Sequence, residues 1–272
     1  MSIFVPGFLA GRNAFVAGGT SGINLAIAEA LAGAGARVAV LSRQQEKVDA
    51  AVARLSAIHP ALGYAADVRE YAGVEAALAA FHSAAGPIDI VVSGAAGNFV
   101  APAAGISSKG FRTVLEIDLL GTFNVLRASY PLLRKPGASL ISISAPQSTA
   151  VSFGQAHVSA AKAGIDMLTR CLAVEWGAEG VRVNAIVPGP IDDTEGMARL
   201  APTPAVRKAL ERAVPLGHFG KKDDVADLAL FLASDAAKYM TGTVTYCDGG
   251  QVLTMGGALS PAALQQLLSE GA

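Results

Sequence analysis

The sequence predicts a doubly wound α/β fold, with helices on both faces of a mostly parallel sheet of about seven strands. Three observations support this prediction. Short β-rich runs alternate with Ala- and Leu-rich stretches along the 272 residues, and such alternation is typical of parallel sheets. The run IDIVVS at 88–93 is apolar enough to be buried on both faces, as parallel strands are. Near the start of the chain, a strand leads through a glycine-rich turn into a helix.

The individual elements follow from local patterns in chain order. The first helix places Ile23, Ile27 and Leu31 on one face at i, i+4 and i+8. Strands are predicted at 13–17, 37–42, 63–67, 88–93, 139–144, 181–187 and 242–247, and helices at 23–34, 46–55, 110–126 and 157–177. These elements belong to one fold order, so we expect a single domain over 1–272. The segment 192–215 breaks the alternation and is long for a connection, which predicts a lid-like insertion over a binding site.

The composition argues against several classes of partner. Hydrophobic residues make up 52% and charged residues 16% of the chain, which provides for a deep core. The net charge of −1 lacks the basic surplus that nucleic-acid or anionic-membrane binding needs, and no continuous apolar run suits a bilayer span. The two cysteines and four histidines show no disulfide or metal-ligand spacing. We therefore expect no metal site. The N-terminus lacks a signal-peptide pattern, and the C-terminal residues SEGA are not a peroxisomal targeting signal, so we expect a cytoplasmic protein.

The glycine-rich turn in FVAGGTSGINLAIAEAL indicates a dinucleotide site. Gly18 and Gly22 permit a tight turn and a close approach of the backbone to a pyrophosphate. The N-terminus of the following helix supplies free N–H groups and the positive end of its dipole. The spacing is G-x-x-x-G-x-G, with Asn24 in place of the third glycine. A turn with only a structural role is the alternative interpretation.

The end of the second strand favours NADPH over NADH. An acidic residue there would accept hydrogen bonds from the ribose hydroxyls of NAD, but this chain has Ser42 and Arg43. A hydroxyl and a guanidinium suit a 2′-phosphate. The alternative interpretation is a solvent-exposed arginine without a ligand.

Two ionisable residues stand in apolar helical stretches. Asp118 lies between Ile117 and Leu119 in EIDLLGTF. Desolvation there would favour its protonated form and suit it to donate a proton, directly or through a water. The alternative for Asp118 is a structural carboxylate satisfied by backbone groups. Lys162 lies on the mostly apolar helix at 157–177, a position that favours a functional role over a surface one.

Five motifs carry a resemblance to a known family. SGAAGNF, IDLLGTFN, SAAKAG, RVNAIVPGPI and CDGG follow one another in the order and spacing of the short-chain dehydrogenase/reductases, which have a Rossmann fold. The resemblance extends from about Gly11 to Leu253. The sequence departs from the family pattern at Val158, four positions before Lys162, where the family carries its catalytic tyrosine. It departs again at Asp118, where the family carries an asparagine.

These two departures, together with AAGNF, GTFNV, LAVEWG and PGPI-x-x-TEG, resemble the 2,4-dienoyl-CoA reductases, particularly the peroxisomal type. The resemblance implies hydride transfer from NADPH to the δ-carbon of a conjugated dienoyl thioester, with protonation at carbon from a water that Asp118 polarises. Lys162 would bind the nicotinamide ribose and stabilise the dienolate oxygen. Ser144 would replace the family's catalytic serine, which aligns with Ala145.

The resemblance also implies the other contacts of the site. The substrate would be an acyl-CoA of fatty acid metabolism, and the protein would be a homotetramer with the helices at 110–126 and 157–177 at its interface. Cofactor contacts would fall on Gly18, Thr20, Ser21, Gly22, Ile23, Ser42, Arg43, Asp67, Val68, Ala95, Lys162, Pro188, Gly189, Ile191 and Thr194. Substrate contacts would fall on Arg69, Asn98, Phe99, Gln147 and Arg199.

Two other functions stay open at this point. A carbonyl or alcohol oxidoreductase of the same fold would need an unusual acid, and Val158 and Ala145 argue against it. A non-catalytic NADP-binding protein would explain Asn24 and Val158 as losses. Lys162 and Asp118 argue for catalysis instead.

Overall fold

A computed structural model describes residues 4–201 and 203–255. These residues contain seven strands: β1 (Asn13–Ala17), β2 (Arg37–Ser42), β3 (Ala61–Ala65), β4 (Ile90–Ser93), β5 (Ser139–Ile143), β6 (Arg182–Pro188) and β7 (Val244–Cys247). They pair in parallel in the order β3-β2-β1-β4-β5-β6-β7. This sheet confirms the predicted doubly wound α/β fold. The order reverses between β1 and β4, and ligands of such sheets bind in the crevice at this point.

Helices cover both faces of the sheet. They are α1 (Gly22–Gly33), α2 (Gln45–Ser56), α3 (Tyr71–Ala85), α4 (Ser108–Leu115), α5 (Gly121–Ser129), α6 (Ala156–Trp176), α7 (Glu195–Leu200), α8 (Pro204–Ala213), α9 (Lys222–Ala233) and α10 (Gln251–Thr254). One core joins α1 and α9 to the sheet through side chains such as Ile27 and Val225. A second core on the other face joins α3 and α6 through Phe81 and Leu172. None of the described helices is both long and apolar enough to cross a bilayer.

Most element bounds agree with the sequence predictions to within two residues. β3 lies two residues earlier than predicted, because Asp67 belongs to a turn: its Oδ1 accepts a hydrogen bond from Arg69 N at 3.0 Å. The structure contains five helices beyond the predicted ones within the described residues, namely α3, α7, α8, α9 and α10. The buried residues Val74, Leu78 and Phe81 of α3 are spaced i, i+4 and i+7, so the helical period is present in the sequence.

The helix predicted at 110–126 is present, and it contains a π-helical turn that the sequence did not indicate. It begins earlier, at Ser108, because the Ser107 hydroxyl accepts a hydrogen bond from Gly110 N and caps the helix. A π-helical turn, Glu116–Leu120, then separates α4 from α5.

The segment predicted as a lid contains α7 and α8 after β6. Met197, Val214 and Phe219 form a small hydrophobic cluster within this part of the chain, separate from the two main cores. A separate cluster suits a segment that packs on the rest of the domain as a unit. Its role as a lid over a site stays a prediction.

A substitution at Gly63 can test how tightly α2 packs against β3 at the edge of the sheet. A Cβ at this position would lie 2.4 Å from Val48 Cγ1 and 2.5 Å from Val52 Cγ2, and β-branched valines cannot easily rotate away. We expect Gly63→Ala to lower the free energy of unfolding by about 1–3 kcal/mol in urea denaturation. The matched control is Gly33→Ala at the end of α1, where a Cβ meets nothing within 4 Å. It should leave stability unchanged or raise it, and equal losses in both variants would contradict the prediction.

Candidate active site

The carboxyl ends of four neighbouring strands carry predicted site residues to one edge of the sheet. Gly18 follows β1, Ala95 follows β4, Ser144 follows β5 and Gly189 follows β6. The crevice between β1 and β4 is the point where the strand order reverses. The fold therefore places the glycine-rich turn and the residues predicted for catalysis at the same edge.

The turn after β1 has the shape that a pyrophosphate site needs. Gly18 (φ 78°) and Gly22 (φ 58°) both adopt left-handed conformations that favour glycine. A Cβ on Gly18 would lie 2.8 Å from Ala95 N, so the turn passes directly over the loop after β4. A Cβ on Gly22 would meet nothing within 4 Å. Ser21 precedes α1 without capping it through its side chain, so the positive end of the α1 dipole is available to an anion.

The residues predicted for the adenosine end lie beyond β2 and β3. Ser42 is the last residue of β2, and Arg43 follows it with an exposed side chain. Asp67 Oδ2 lies 2.6 Å from Arg69 Nη2. The pKa of Asp67 is lowered, chiefly because Arg69 donates side-chain hydrogen bonds to it; burial opposes the shift, and the charge of Arg43 adds to it. The structure thus places Arg69, predicted for the substrate, in contact with a residue predicted for the cofactor.

Asp118 and Lys162 form a buried ion pair. Lys162 Nζ lies 3.1 Å from Asp118 Oδ2, and the two side chains are 7% and 1% exposed. Asp118 Oδ1 accepts a 2.7 Å hydrogen bond from Gly97 N, and Lys162 Nζ donates to Ile143 O at 3.1 Å. The burial of Asp118 agrees with its apolar sequence context, whereas the contact with Lys162 is additional to the sequence prediction. The ammonium group of Lys162 thus lies between the Asp118 carboxylate and the carbonyl of Ile143 at the end of β5.

The π-helical turn between α4 and α5 contains Asp118. Such turns insert an extra residue into a helix and are frequent at functional sites. The loop after β3 packs closely against the residues that follow the turn. A Cβ on Gly121 would lie 2.7 Å from Val68 Cγ2, and Asn124 Nδ2 donates to Val68 O at 2.9 Å. Val68, predicted for the cofactor, therefore also packs against α5, the helix that follows the turn with Asp118.

Hydrophobic packing fills the position four residues before Lys162. Val158 is 3% exposed and packs with Val114 and Ala161. Ser144 is also buried; its backbone N donates to Ile186 O, and its Oγ has no hydrogen-bond partner among the described residues. With no phenol at position 158, the acidic group in contact with Lys162 is the carboxyl of Asp118.

Three residues predicted for the substrate lie together with two that the prediction lacks. Gln147 Nε2 donates to Gln155 Oε1 at 2.7 Å, and Gln155 Nε2 donates to Asn98 Oδ1 at 3.5 Å. Phe99 stacks on the fully buried ring of His157, with 4.1 Å between the ring centroids. The H-x-x-x-A-K spacing is the sequence signal that singles out His157. No comparable signal points to Gln155.

Exposed hydrophobic side chains stand beside this group. The loop after β4 carries Val100, and the loop before α6 carries Val151 and Phe153, all largely exposed. A backbone hydrogen bond of 2.9 Å from Ala101 N to Gly154 O joins the two loops. The site therefore has an apolar rim next to its polar centre.

The segment after β6 brings the remaining predicted cofactor residues to the same edge. Pro188 ends β6, and a Cβ on Gly189 would lie 2.5 Å from Asp248 Cα, so the two backbones almost touch. Thr194 caps α7 by accepting a hydrogen bond from Met197 N, and its hydroxyl donates to the carbonyl of the buried Ile191.

An ion pair ties α8 to the start of this segment. Arg207 Nη1 and Nη2 each donate a 2.8 Å hydrogen bond to a carboxylate oxygen of Asp192. These hydrogen bonds are the main reason why the pKa of Asp192 is lowered to about 2, so the carboxylate stays charged at neutral pH. Arg199, predicted for the substrate, belongs to α7, but its side chain lies outside the described part of the structure.

Comparison with known proteins connects this geometry to a family. Residues 17–251 match the family model described as Enoyl-(Acyl carrier protein) reductase. The chain is 40% identical to a peroxisomal 2,4-dienoyl-CoA reductase of Arabidopsis thaliana, over 98% of this chain and 93% of that protein. It is 42% identical to a peroxisomal 2,4-dienoyl-CoA reductase of Saccharomyces cerevisiae, over 90% of this chain and 85% of that protein. Among solved structures, it is similar to the RhlG/NADP active-site complex of Pseudomonas aeruginosa, with a TM-score of 0.86, 32% identity and coverage of 92% and 100%.

The buried ion pair can be tested by a double-mutant cycle. Lys162→Met leaves a buried carboxylate without its partner and should lower the free energy of unfolding by about 3–5 kcal/mol in urea denaturation. Adding Asp118→Asn removes the second charge while it keeps the acceptor for Gly97 N. The double variant should therefore be more stable than Lys162→Met alone.

The exposed pair of Lys222 and Asp193 is the matched control. Lys222→Met and Asp193→Asn should each change stability by less than about 1 kcal/mol, because solvent screens this pair. If the losses of Lys162→Met and Asp118→Asn simply add in the double variant, the two buried groups are not coupled.

Proposed function

This chain belongs to the short-chain dehydrogenase/reductase family, and on that basis we propose that it is an NADPH-dependent reductase of conjugated enoyl thioesters, with 2,4-dienoyl-CoA as substrate. The buried contact between Asp118 and Lys162, in a site with valine at position 158, carries the proposal. Carbonyl reduction needs an acid that protonates oxygen. Reduction of a conjugated thioester returns the proton to carbon, and an oriented water can supply it.

The names of the relatives support this substrate. The proteins from Arabidopsis thaliana and Saccharomyces cerevisiae are both named as (3E)-enoyl-CoA-producing 2,4-dienoyl-CoA reductases. Their alignment covers 85% or more of each relative, so it includes the site as well as the cofactor turn. We take the 3E-enoyl thioester as the proposed product.

The described residues fit a bound NADPH. The turn at Gly18 and Gly22 and the N-terminus of α1 suit the pyrophosphate, and Ser42 and Arg43 suit the 2′-phosphate. A solved relative that is a complex with NADP supports this choice of cofactor. Lys162 would contact the nicotinamide ribose. When bound, NADPH supplies the hydride that reduces the δ-carbon of the diene.

In the proposed reaction, Lys162 would stabilise the negative charge that forms on the substrate, and Asp118 would orient the water that supplies the proton. The electron pair of the diene moves to the thioester oxygen as the δ-carbon is reduced, and the Lys162 ammonium stabilises the negative charge that forms there. Asp118 orients a water whose proton goes to carbon, and solvent replaces the proton that this water loses. The Ser144 hydroxyl is buried and belongs to the residue after Ile143, whose carbonyl Lys162 contacts, and we propose it as a further donor for the oxygen.

The apolar rim supports an acyl chain as part of the substrate. Phe99 with His157 forms a flat wall, and Val100, Val151 and Phe153 extend the apolar surface outward. Ligand sites are commonly lined by such side chains, with a few polar groups that fix orientation. Asn98 and Gln147 are the polar groups here. We further propose that Arg69 and Arg199 bind phosphates of the CoA moiety and that α7 and α8 close over the substrate.

A groove on the outer surface of α4, α5 and α6 supports a homotetramer. It has a volume of about 590 Å³. Its lining includes Phe111, Leu115, Leu119, Phe123 and Leu168, and Phe111 and Phe123 are partly exposed. Exposed apolar surface of this kind marks sites of association. We propose that copies of the chain associate through these helices, and that the two free thiols, Cys171 and Cys247, reflect a reduced compartment such as the cytoplasm.

The proposed reaction predicts NADPH oxidation that depends on a dienoyl thioester. The purified protein should oxidise NADPH with 2,4-hexadienoyl-CoA or 2,4-decadienoyl-CoA and not with simple ketones. Asp118→Ala should lower kcat by about 100-fold or more, since proton transfer contributes this much. NADPH binding, followed by nucleotide fluorescence, should stay within about threefold, because Asp118 is not predicted to contact the cofactor and Lys162 keeps its hydrogen bond to Ile143 O.

Asp227→Ala, at an exposed position of α9, is the matched control and should keep full turnover. Ketone reduction without dienoyl reduction would favour a carbonyl oxidoreductase. Binding of NADPH without turnover of either substrate class would favour a non-catalytic protein.

The choice of cofactor predicts a separate effect of Arg43. Arg43→Leu removes the charge-assisted hydrogen bonds to a 2′-phosphate and should weaken NADPH binding about tenfold or more. NADH has no such phosphate, so its Kd should stay unchanged. Arg37→Leu, at the other end of β2, should change neither Kd. Equal weakening of both cofactors in Arg43→Leu would contradict a 2′-phosphate contact.

A further inference from the structure

We propose that Asn24 is a positioning residue of the cofactor crevice, and that Asn24 and Gly94 are a matched pair which sets the distance between the glycine-rich turn and the loop after β4. The inference rests on the proposed function only in that the crevice binds NADPH. It concerns the residue that replaces the third glycine of the turn, a departure that otherwise points to a weakened site.

The contact between the two residues is close and specific. Asn24 Nδ2 donates a 2.7 Å hydrogen bond to Gly94 O, across 70 residues of sequence. A Cβ on Gly94 would lie 2.2 Å from Asn24 Oδ1 and 2.5 Å from Asn24 Cγ. The Asn24 side chain therefore occupies the space that a side chain at 94 would need. The φ of Gly94 is not in the left-handed region, so the constraint on position 94 comes from the present position of the Asn24 side chain rather than from backbone conformation.

The contact lies where the backbones on the two sides of the crevice already meet. Gly94 N donates to Ala17 O at 3.1 Å, and a Cβ on Gly18 would lie 2.8 Å from Ala95 N. The turn and the loop thus already meet through their backbones where β1 and β4 separate. Asn24 lies in the first turn of α1 and adds a side-chain contact from the helix to the same loop.

This arrangement fixes both walls of a dinucleotide site. The turn and the start of α1 suit the pyrophosphate, and the loop after β4 leads through Gly97 to Asp118. A hydrogen bond between the walls holds them in one relative position before the cofactor arrives, and such preorganisation favours binding. The change at position 24 is matched by a small residue at position 94, so it is a repacking of the crevice rather than a loss.

The test is a cycle of three variants, Asn24→Gly, Gly94→Ala and the double variant. Two quantities are measured for each: the urea midpoint of the protein without nucleotide, and the Kd of NADPH from nucleotide fluorescence well below the unfolding transition. Asn24→Gly should weaken NADPH binding about tenfold, because a glycine cannot reach Gly94 O. Gly94→Ala alone should weaken it further, since the new methyl group collides with Asn24. The double variant should bind NADPH at least about fivefold more tightly than Gly94→Ala, because removal of Asn24 frees the space.

Ala30→Gly, further along α1, separates positioning from helix stability. It should lower the urea midpoint through helix propensity and leave the Kd of NADPH unchanged. An unchanged Kd in Asn24→Gly, or effects of the two substitutions that simply multiply in the double variant, would overturn the proposal. If the unaltered protein binds no NADPH, both this proposal and the proposed cofactor fail. If it binds NADPH but does not reduce dienoyl thioesters, only the proposed reaction fails and the cycle is still decisive.

Discussion

The ion pair of Asp118 and Lys162 constrains the site more than any other contact, because a charge buried without a partner costs several kcal/mol. To keep the two groups 3.1 Å apart, the π-helical turn and α6 must lie side by side. The remaining hydrogen bonds of the pair then determine where the neighbouring segments lie. Lys162 binds the end of β5 through Ile143 O, and Asp118 binds the loop after β4 through Gly97 N. Four segments that are distant in sequence are thus held around one pair of charges.

The fold could be predicted because its determinants are local. The strand–turn–helix pattern at the start of the chain and the apolar run of β4 can each be recognised from a short stretch of sequence. The structure has both elements where they were expected. The π-helical turn could not be predicted in this way. The packing next to it depends on segments far apart in the chain: a Cβ on Gly121 would lie 2.7 Å from Val68 Cγ2. The Ala-rich sequence of α3 has a helical period, but alanine gives it a weak contrast between faces.

The candidate site could likewise be predicted only in part: its residues could be identified from the sequence, but their mutual contacts could not. Asp118 and Lys162 stand out in sequence because charged residues are rare in apolar helices, whereas their contact with each other depends on how α6 crosses the π-helical turn. The stack of Phe99 on His157 and the amide contacts through Gln155 likewise depend on the approach of two loops. Residue type and motif position indicated which groups belong to the site. Tertiary packing decides which of them touch.

The contact between Asn24 and Gly94 has a consequence for the history of the sequence. A chain with asparagine at 24 and a larger residue at 94 could not keep the present position of the Asn24 side chain, because the first side-chain carbon at 94 would collide with Asn24 Oδ1. The two residues are therefore coupled: the hydrogen bond needs the amide at 24, and the side chain that donates it occupies the space that glycine leaves at 94. A substitution at one position thus changes which residues the other can accept without a shift of the Asn24 side chain, although 70 residues separate them. We expect positions 24 and 94 to vary together among related sequences.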